Sequence, residues 1–249
     1  MDIIQDFIPA GNRNRPGRAN PPDAPLRDRA TAVNIFRVIC TVNYTRASVT
    51  GGRGFPDLVA QLPRTRAALT FAEEQHAGQR RKTDGAPFIA HPIEVGSLLY
   101  EAGASDDVIA AGLLHDTIEK SSTDRAELRR RFGARTAALV AALTEDEQIS
   151  GYATRKAALR RQVETAGTDA LMVFAADKVS KIRELPVDRS GSEAETVSQT
   201  RQRKIRHYRS CLEMLERHIA DSPLVVELRA ELERRTGVPG RRSALADAV

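Results

Sequence analysis

From about Leu62 onward, hydrophobic residues recur every three or four positions, which is the spacing of an amphipathic helix. The segment "RTRAALTFAEEQHAG" follows this pattern and ends at Gly78, a residue that suits the end of a helix. Further segments of the same kind continue to about residue 220, and glycine or proline separates many of them. The pattern therefore predicts an all-α domain of six to nine helices over residues 62–220, without a strand.

Several helix boundaries are indicated by caps and helix breakers. The segment after His91 begins with Pro92, which suits a first helical position, and its apolar stripe stops at Gly103. The next segment, "SDDVIAAGLLHD", offers Ser105 or Asp106 as its N-cap. A later one, "AELRRRFGARTAALVAALTED", is interrupted by the glycine after its phenylalanine. We expect the chain to turn at each of these positions.

The two ends of the chain differ from this helical region. Residues 1–61 include "IPAGNRNRPGRANPPDAPLRDR", which is rich in Pro, Gly, Asn and Arg and has little to bury. We expect a poorly ordered extension there, interrupted by a short β-leaning run from Val33 to Tyr44. Residues 221–249 are expected to form a C-terminal helix and a tail that is too short for a second catalytic domain.

Composition favours a protein that works in the cytoplasm without a membrane anchor. Of the 249 residues, 41 % are hydrophobic and 29 % are charged, and no apolar run approaches the length of a membrane span. The first 30 residues lack the features of a secretory signal. The two cysteines form no CxxC pair and imply no disulfide framework. Nothing in the composition predicts an oligomeric state.

The net charge of +5 comes mostly from arginine, and such a surface can attract nucleic acid or phosphorylated small molecules. Aromatic residues make up only 4 % of the chain and tryptophan is absent, so platforms for stacking bases are few. The basic residues are spread over most of the predicted helices. A helical nucleic-acid-binding module therefore stays an alternative that rests on net charge alone.

The stretch "GLLHDTIEKSS" carries the candidate chemistry. An apolar run delivers His115 and Asp116 to a helix end, and Glu119 follows three residues later. His91 and Asp177 lie on segments that can pack against this helix. Two imidazoles with carboxylates suit a divalent ion such as Mn²⁺, Fe²⁺ or Zn²⁺. Taken singly, each residue has a simpler interpretation: a structural histidine, a solvated turn for Asp116 and Glu119, or, for Asp177, a surface ion pair with Lys181 four residues later.

Several separated motifs resemble one family. The stretch "HAGQRRKTDGAPFIAHPIEVGSLLYEAGASDDVIAAGLLHDTIE" is similar to the HD-domain pyrophosphohydrolases that act on the alarmone guanosine 3′,5′-bis(diphosphate), found in RelA/SpoT-type proteins and in small stand-alone alarmone hydrolases. "AELRRRFGARTAALVAALTEDE", "RKAALRRQVETA" and "VFAADKVSKIREL" follow in the same order. The resemblance covers about Leu69 to Leu185. It implies a single HD-domain helical bundle and a hydrolase that releases pyrophosphate from a guanosine nucleotide.

The resemblance also implies roles for individual residues. The implied metal ligands are His91, His115, Asp116 and Asp177, and the family usually holds Mn²⁺ there. Glu119 matches the first acid of a pair that activates or orients the attacking water, so Glu119 and Asp116 are the candidate catalytic residues.

The same resemblance implies contacts to the substrate. Arg81 and Lys82 match a basic pair beside the guanine nucleotide, where guanidinium can both stack and pair with anions. Without the resemblance, these two residues would be interpreted as a solvated basic turn.

Two positions depart from the family pattern. Lys120 stands where the family has the second acid, and Lys181 stands where it tends to have asparagine. Both lysines are candidate substrate-binding residues, since an ammonium can contact phosphate. The changes leave open a degenerate HD domain that binds a nucleotide with little or no turnover, or a hydrolase of a different phosphorylated substrate.

Overall fold

The computed structural model describes residues 59, 61–185 and 195–237, with only the backbone of residues 195–198. These ranges contain nine helices, which we number in chain order: α1 Pro63–Gln75, α2 Ala90–Glu101, α3 Asp106–Leu114, α4 Thr117–Lys120, α5 Arg125–Leu143, α6 Tyr152–Ala166, α7 Thr168–Arg183, α8 Glu195–Ile219 and α9 Pro223–Thr236. The predicted N-terminal extension, with its β-leaning run, lies outside the described residues except for positions 59 and 61.

The prediction of an all-α fold is confirmed. Eight of the nine helices fall within residues 62–220, and the ninth, α9, is the helix expected after them. The described ranges contain no strand, only an isolated antiparallel bridge between Arg80 and Pro87 in the loop after α1. No helix in the described part of the chain is long and apolar enough to cross a membrane.

Two helices, α3 and α7, lie at the centre of the bundle. Helix α3 packs against α1, α2, α5 and α7, and α7 also packs against α2, α6, α8 and α9. Helix α3 is short and almost wholly apolar, and its residues from Val108 to Leu114 are buried. Such an element has no solvated face and must be surrounded. The segments that carry the candidate ligands therefore meet in the interior.

Close packing of α2 against α3 depends on Gly112. A Cβ atom built at this position would lie 2.4 Å from Leu99 Cδ1 and 3.3 Å from Val95 Cγ1, both on α2. Leu99 is completely buried, so a shift of its side chain would disturb close-packed neighbours. The absence of a side chain at Gly112 thus brings the two helices together just before the His115–Asp116 pair.

The helix breakers act where the sequence predicts them. Gly133 has a φ of 87° and kinks α5 into two parts, and Gly103 has a φ of 75° in the turn after α2. These positive φ values favour glycine because a Cβ is strained there. At the start of α5, the Asp124 side chain accepts a hydrogen bond from the Glu127 backbone N–H, as an N-cap does.

Candidate metal centre

Three stretches of the chain deliver the four predicted ligands to one point. His91 lies in the first turn of α2, and His115 is the C-cap of α3. Asp116 directly precedes the short helix α4, and Asp177 lies within α7. All four side chains are nearly inaccessible to solvent, with at most 4 % of the residue exposed.

The four side chains place two nitrogens and two oxygens close together. His91 Nε2 lies 3.2 Å from His115 Nε2 and 3.2 Å from Asp177 Oδ1. His115 Nε2 lies 3.4 Å from the same Asp177 oxygen. Asp116 Oδ2 lies 3.6 Å from His91 Nε2 and 3.5 Å from His115 Nε2. His91, His115 and Asp177 form a possible metal site, with ligand atoms within 4.8 Å of one another.

The hydrogen bonds on the far side of each imidazole determine which nitrogen faces the cluster. His115 Nδ1 lies 2.7 Å from the Gly112 carbonyl oxygen, which only accepts, so Nδ1 carries the proton. His91 Nδ1 lies 2.8 Å from Ser180 Oγ, whose hydroxyl donates to a Glu94 carboxylate oxygen 2.8 Å away. In the neutral rings, both Nε2 lone pairs therefore point into the cluster, as in histidines that bind metals.

The carboxylate oxygens of the cluster also fit a cation. Asp116 Oδ2 and Asp177 Oδ1 are buried and accept no well-directed hydrogen bond within the described residues, although the Lys181 ammonium lies near the latter. A buried acceptor without a donor costs about 1–3 kcal/mol. Two lone-pair nitrogens and two such oxygens are a donor set suited to a borderline divalent ion. The residues present thus fit a metal on both geometry and chemistry.

Burial and neighbouring charges determine the protonation states of the cluster residues. Burial lowers the pKa of His91 to about 4. Burial also opposes charge on His115, but the carboxylates of Asp116 and Asp177 outweigh it and raise the pKa of that imidazole. For Asp116 burial acts upward, yet the surrounding cations, led by Lys181, lower the pKa of its carboxyl. The cluster therefore keeps its carboxylates ionised and attracts positive charge.

The two lysines that depart from the family pattern lie beside these carboxylates. Lys181 Nζ is 2.8 Å from Asp177 Oδ1 and 3.8 Å from Asp116 Oδ1. Lys120 Nζ is 3.6 Å from Asp116 Oδ1, and it also lies 5.2 Å above the centre of the Phe88 ring. Burial disfavours the Lys181 ammonium, but Asp116 and Asp177 outweigh this and raise its pKa. The spacing had suggested the Asp177–Lys181 ion pair, whereas the second contact of Lys181, with Asp116, was not anticipated from the sequence.

Glu119, on α4, is held by the loop that follows α5. Its Oε1 accepts a hydrogen bond of 2.6 Å from the Glu145 backbone N–H. The Glu145 carboxylate is in turn bound by Arg155 Nε at 2.8 Å and by the Lys156 ammonium. A cavity of about 310 Å³ lies here, lined by Glu119, Glu145, Glu147 and Arg155. The carboxylate of Glu119 therefore faces an open space and has a fixed orientation.

Arg81 and Lys82 lie in the turn before α2, and no contact with the four ligands is described for them. Arg81 forms ion pairs with Asp84 at 2.5 Å and with Glu184, just after α7, at 3.4 Å. Lys82 is exposed, and its side chain has no described partner. The turn thus carries one cation held by ion pairs, Arg81, and one exposed cation, Lys82.

Several residues that contact or support the predicted ligands were not predicted from the sequence. Ser180 and Glu94 orient His91, and Arg183 Nη1 binds Glu94 at 2.8 Å. Lys178 is buried and donates to Asp177 Oδ2 at 2.5 Å, with its ammonium 4.3 Å from the centre of the Phe174 ring. Only Ser180 had a visible signal, because it falls on the same face of the predicted helix as Asp177. The contacts of Glu94 depend on packing between helices distant in sequence, whereas those of Lys178 lie within its own helix.

Comparison with known proteins gives a consistent result. The family model described as "HD domain" matches residues 68–207, more than half of the chain. The guanosine-3′,5′-bis(diphosphate) 3′-pyrophosphohydrolase MESH1 of Mus musculus is 40 % identical over 124 residues, which cover 47 % of this chain and 67 % of that protein. The guanosine-3′,5′-bis(diphosphate) 3′-pyrophosphohydrolase of Aquifex aeolicus is 33 % identical over 135 residues, covering 53 % of this chain but only 19 % of the relative.

A solved structure supports the fold. The structure described as a metazoan orthologue of SpoT that hydrolyses ppGpp aligns with 70 % of this chain and 97 % of its own, with a TM-score of 0.60. The aligned residues are 23 % identical. At that identity the similarity concerns the arrangement of helices alone.

Proposed function

The chain belongs to the HD domain family, and from that premise we propose that it is a metal-dependent pyrophosphohydrolase that releases pyrophosphate from guanosine 3′,5′-bis(diphosphate). The observation that carries the proposal is the meeting of two imidazole nitrogens and two carboxylate oxygens in one buried cluster. Relatives that are about 40 % identical carry this activity in their names. We propose Mn²⁺ as the metal, held by His91, His115, Asp116 and Asp177.

In the proposed reaction, a water oxygen bonds to the phosphorus that is linked to the ribose 3′ oxygen. The bond between that phosphorus and the 3′ oxygen breaks, and a proton passes to the leaving oxygen. A divalent ion supplies Lewis-acid chemistry, since it polarises phosphoryl oxygens and acidifies water. Glu119 orients the water and accepts its proton, because the Glu145 N–H fixes one carboxylate oxygen and leaves the other available.

The cations around the cluster recognise the anionic substrate. Lys120 and Lys181, beside the carboxylates, are in reach of the phosphates of a bound diphosphate. Arg81 and Lys82 hold the nucleotide at the outer rim, where guanidinium can stack on a purine. Together they supply positive charge along a substrate that carries two diphosphate groups.

A second candidate function is nucleotide binding with little or no turnover. It is favoured by the same two ammonium groups, which lie 2.8–3.8 Å from the carboxylate oxygens and compete with a metal for them. A family acid at position 120 would help to position water, whereas Lys120 cannot.

The test is a pyrophosphate-release assay with guanosine 3′,5′-bis(diphosphate) and Mn²⁺. Three full-length proteins are compared: the native chain, Asp116→Ala and Lys120→Asp. We expect the native chain to release pyrophosphate in a Mn²⁺-dependent manner and Asp116→Ala to lose at least about 100-fold in rate. Activity confined to Lys120→Asp would support the second candidate. If the native chain and Lys120→Asp are both inert while Mn²⁺ still binds, the proposed substrate is wrong.

A further inference from the structure

A second polar cavity lies between α8 and α9. Its volume is about 610 Å³, and the buried side chain of Ile205 forms part of its lining. No residue of the candidate metal centre contributes to it. Five of its lining residues are arginines: Arg201, Arg206, Arg209, Arg234 and Arg235. We call these five residues the arginine pocket.

Two of the arginines form the fixed side of the arginine pocket. Arg234 Nη2 pairs with Glu231 at 2.7 Å and with Glu227 at 3.0 Å. Arg235 also pairs with Glu231, and it donates to the backbone carbonyls of Leu185, at 3.2 Å, and Arg183, at 2.9 Å. These contacts neutralise the two charges and hold both guanidinium groups in place.

The other three arginines have no carboxylate paired with them in the part of the chain that the structure describes. Within the described residues, no ion pair involves Arg201, Arg206 or Arg209. Arg201 Nη2 donates to the Arg235 carbonyl oxygen at 2.7 Å, which holds its guanidinium at the cavity. The Nε of Arg201 is buried and has no hydrogen-bond partner among the residues that the structure describes. A buried donor without an acceptor is costly, so an anion that accepts from this atom would be stabilised there.

We propose that the arginine pocket binds a small anion with two or more phosphate groups, such as a diphosphate or a nucleoside polyphosphate. Guanidinium groups bind phosphate oxygens in a bidentate manner, and three guanidinium groups without an ion pair among the described residues exceed what a single phosphate requires. The volume is that of a small-molecule site. The lining contains no aromatic ring on which bases would stack, which disfavours single-stranded nucleic acid.

The test is a calorimetric titration of the full-length chain with inorganic pyrophosphate in the presence of a metal chelator. The variant Arg206→Ala/Arg209→Ala removes two exposed charges from the pocket. The matched control, Arg129→Ala/Arg130→Ala, removes two exposed arginines from α5. Any binding at the metal centre is common to all three proteins, so the differences report on the pocket.

We expect the pocket variant to lose one pyrophosphate site, or to bind at that site at least tenfold more weakly, while the control stays within twofold of the native chain. Circular dichroism should show equal helicity, since both replaced pocket residues are exposed. The proposal is overturned if the pocket variant binds like the native chain, or if the control loses as much affinity. It is also overturned if a single-stranded oligonucleotide binds the native pocket more tightly than pyrophosphate does.

Discussion

At the residue scale, the candidate metal centre depends on the groups behind the ligands. Ser180 accepts from His91 Nδ1 and donates to Glu94, so it determines that His91 presents Nε2 to the cluster. The Gly112 carbonyl does the same for His115. Partners of this kind raise the basicity of a metal-binding histidine and fix its ring. Loss of such a partner is expected to weaken metal binding without removing a ligand.

Replacement of Ser180 by alanine tests this expectation. We predict that Ser180→Ala binds Mn²⁺ about 10- to 100-fold more weakly than the native chain, because His91 loses the acceptor that fixes its tautomer. Calorimetry measures the affinity. The control is Ser97→Ala, also on a helix near the site, whose hydroxyl donates only to the backbone of its own helix. Equal affinities for Ser180→Ala and the native chain would show that Ser180 does not support the site.

Replacement of Lys181 tests the competition between ammonium and metal. Because Lys181 Nζ lies 2.8 Å from Asp177 Oδ1, we predict that Lys181→Asn binds Mn²⁺ about tenfold or more tightly, even after solvent screening of a partly exposed charge. Lys204→Asn, which removes a charge from α8, should match the native chain in the same titration. Weaker metal binding by Lys181→Asn would mean that the ammonium stabilises the site.

At the element scale, the approach of α3 to α2 positions both histidines. We predict that Gly112→Ala lowers the free energy of unfolding by about 1–3 kcal/mol, because its Cβ overlaps Leu99, although alanine favours helix by up to about 1 kcal/mol. Urea denaturation measures the change. Leu99→Ala removes the obstructing atoms, so the double variant should be more stable than additivity of the two single effects predicts. Strict additivity would contradict the proposed contact.

Element boundaries were largely predictable, because the relevant signals are local. The break at Gly133, the turn at Gly103 and the N-cap at Ser105 depend on neighbouring residues and backbone conformation. Asp106 shows the limit of such rules. The sequence offered it as an alternative cap for α3, whereas its carboxylate accepts from the Thr65 backbone N–H at 2.8 Å and caps α1. A contact across 41 residues has no local signature.

The full set of four metal ligands could be predicted only through the resemblance to the HD-domain pyrophosphohydrolases. Spacing alone brings His115 and Asp116 together, but it does not bring His91 or Asp177 to them. Helix packing that periodicity does not specify is also needed for the Ser180–Glu94 contact and for the hydrogen bond from the Glu145 N–H to Glu119. The ligand assignment and the substrate contacts stay predictions.

At the scale of the whole molecule, ion pairs connect the metal centre to the C-terminal helix. Arg183, at the end of α7, binds Glu94 on α2 and also Glu227 and Glu231 on α9, at 2.8–3.0 Å. Glu94 in turn supports Ser180 behind His91. Helix α9 therefore belongs to the framework that orients a predicted ligand, although it contributes none itself.

The stability of this bundle should depend on pH through His207, a buried residue of α8. Burial, followed by the charges of Lys178, Lys156 and Arg160, lowers the pKa of His207 to about 2. Below about pH 6.5 the unfolded chain binds a proton there that the folded chain excludes, so stability falls on acidification by up to about 1.4 kcal/mol per pH unit. We predict that His207→Gln has a shallower loss of stability between pH 7 and 5 in urea denaturation. Parallel pH profiles for the two proteins would contradict the assignment.

We propose that the buried cluster of His91, His115, Asp116 and Asp177 is a divalent metal site, and calorimetric titration of the full-length chain with Mn²⁺ tests this proposal. We predict one bound ion per chain in the native protein and none in His115→Ala or Asp177→Ala. His218→Gln, a change at an exposed histidine of α8, should bind like the native chain. Failure of the native protein to bind Mn²⁺, or unchanged binding after loss of His115 or Asp177, would contradict the claim.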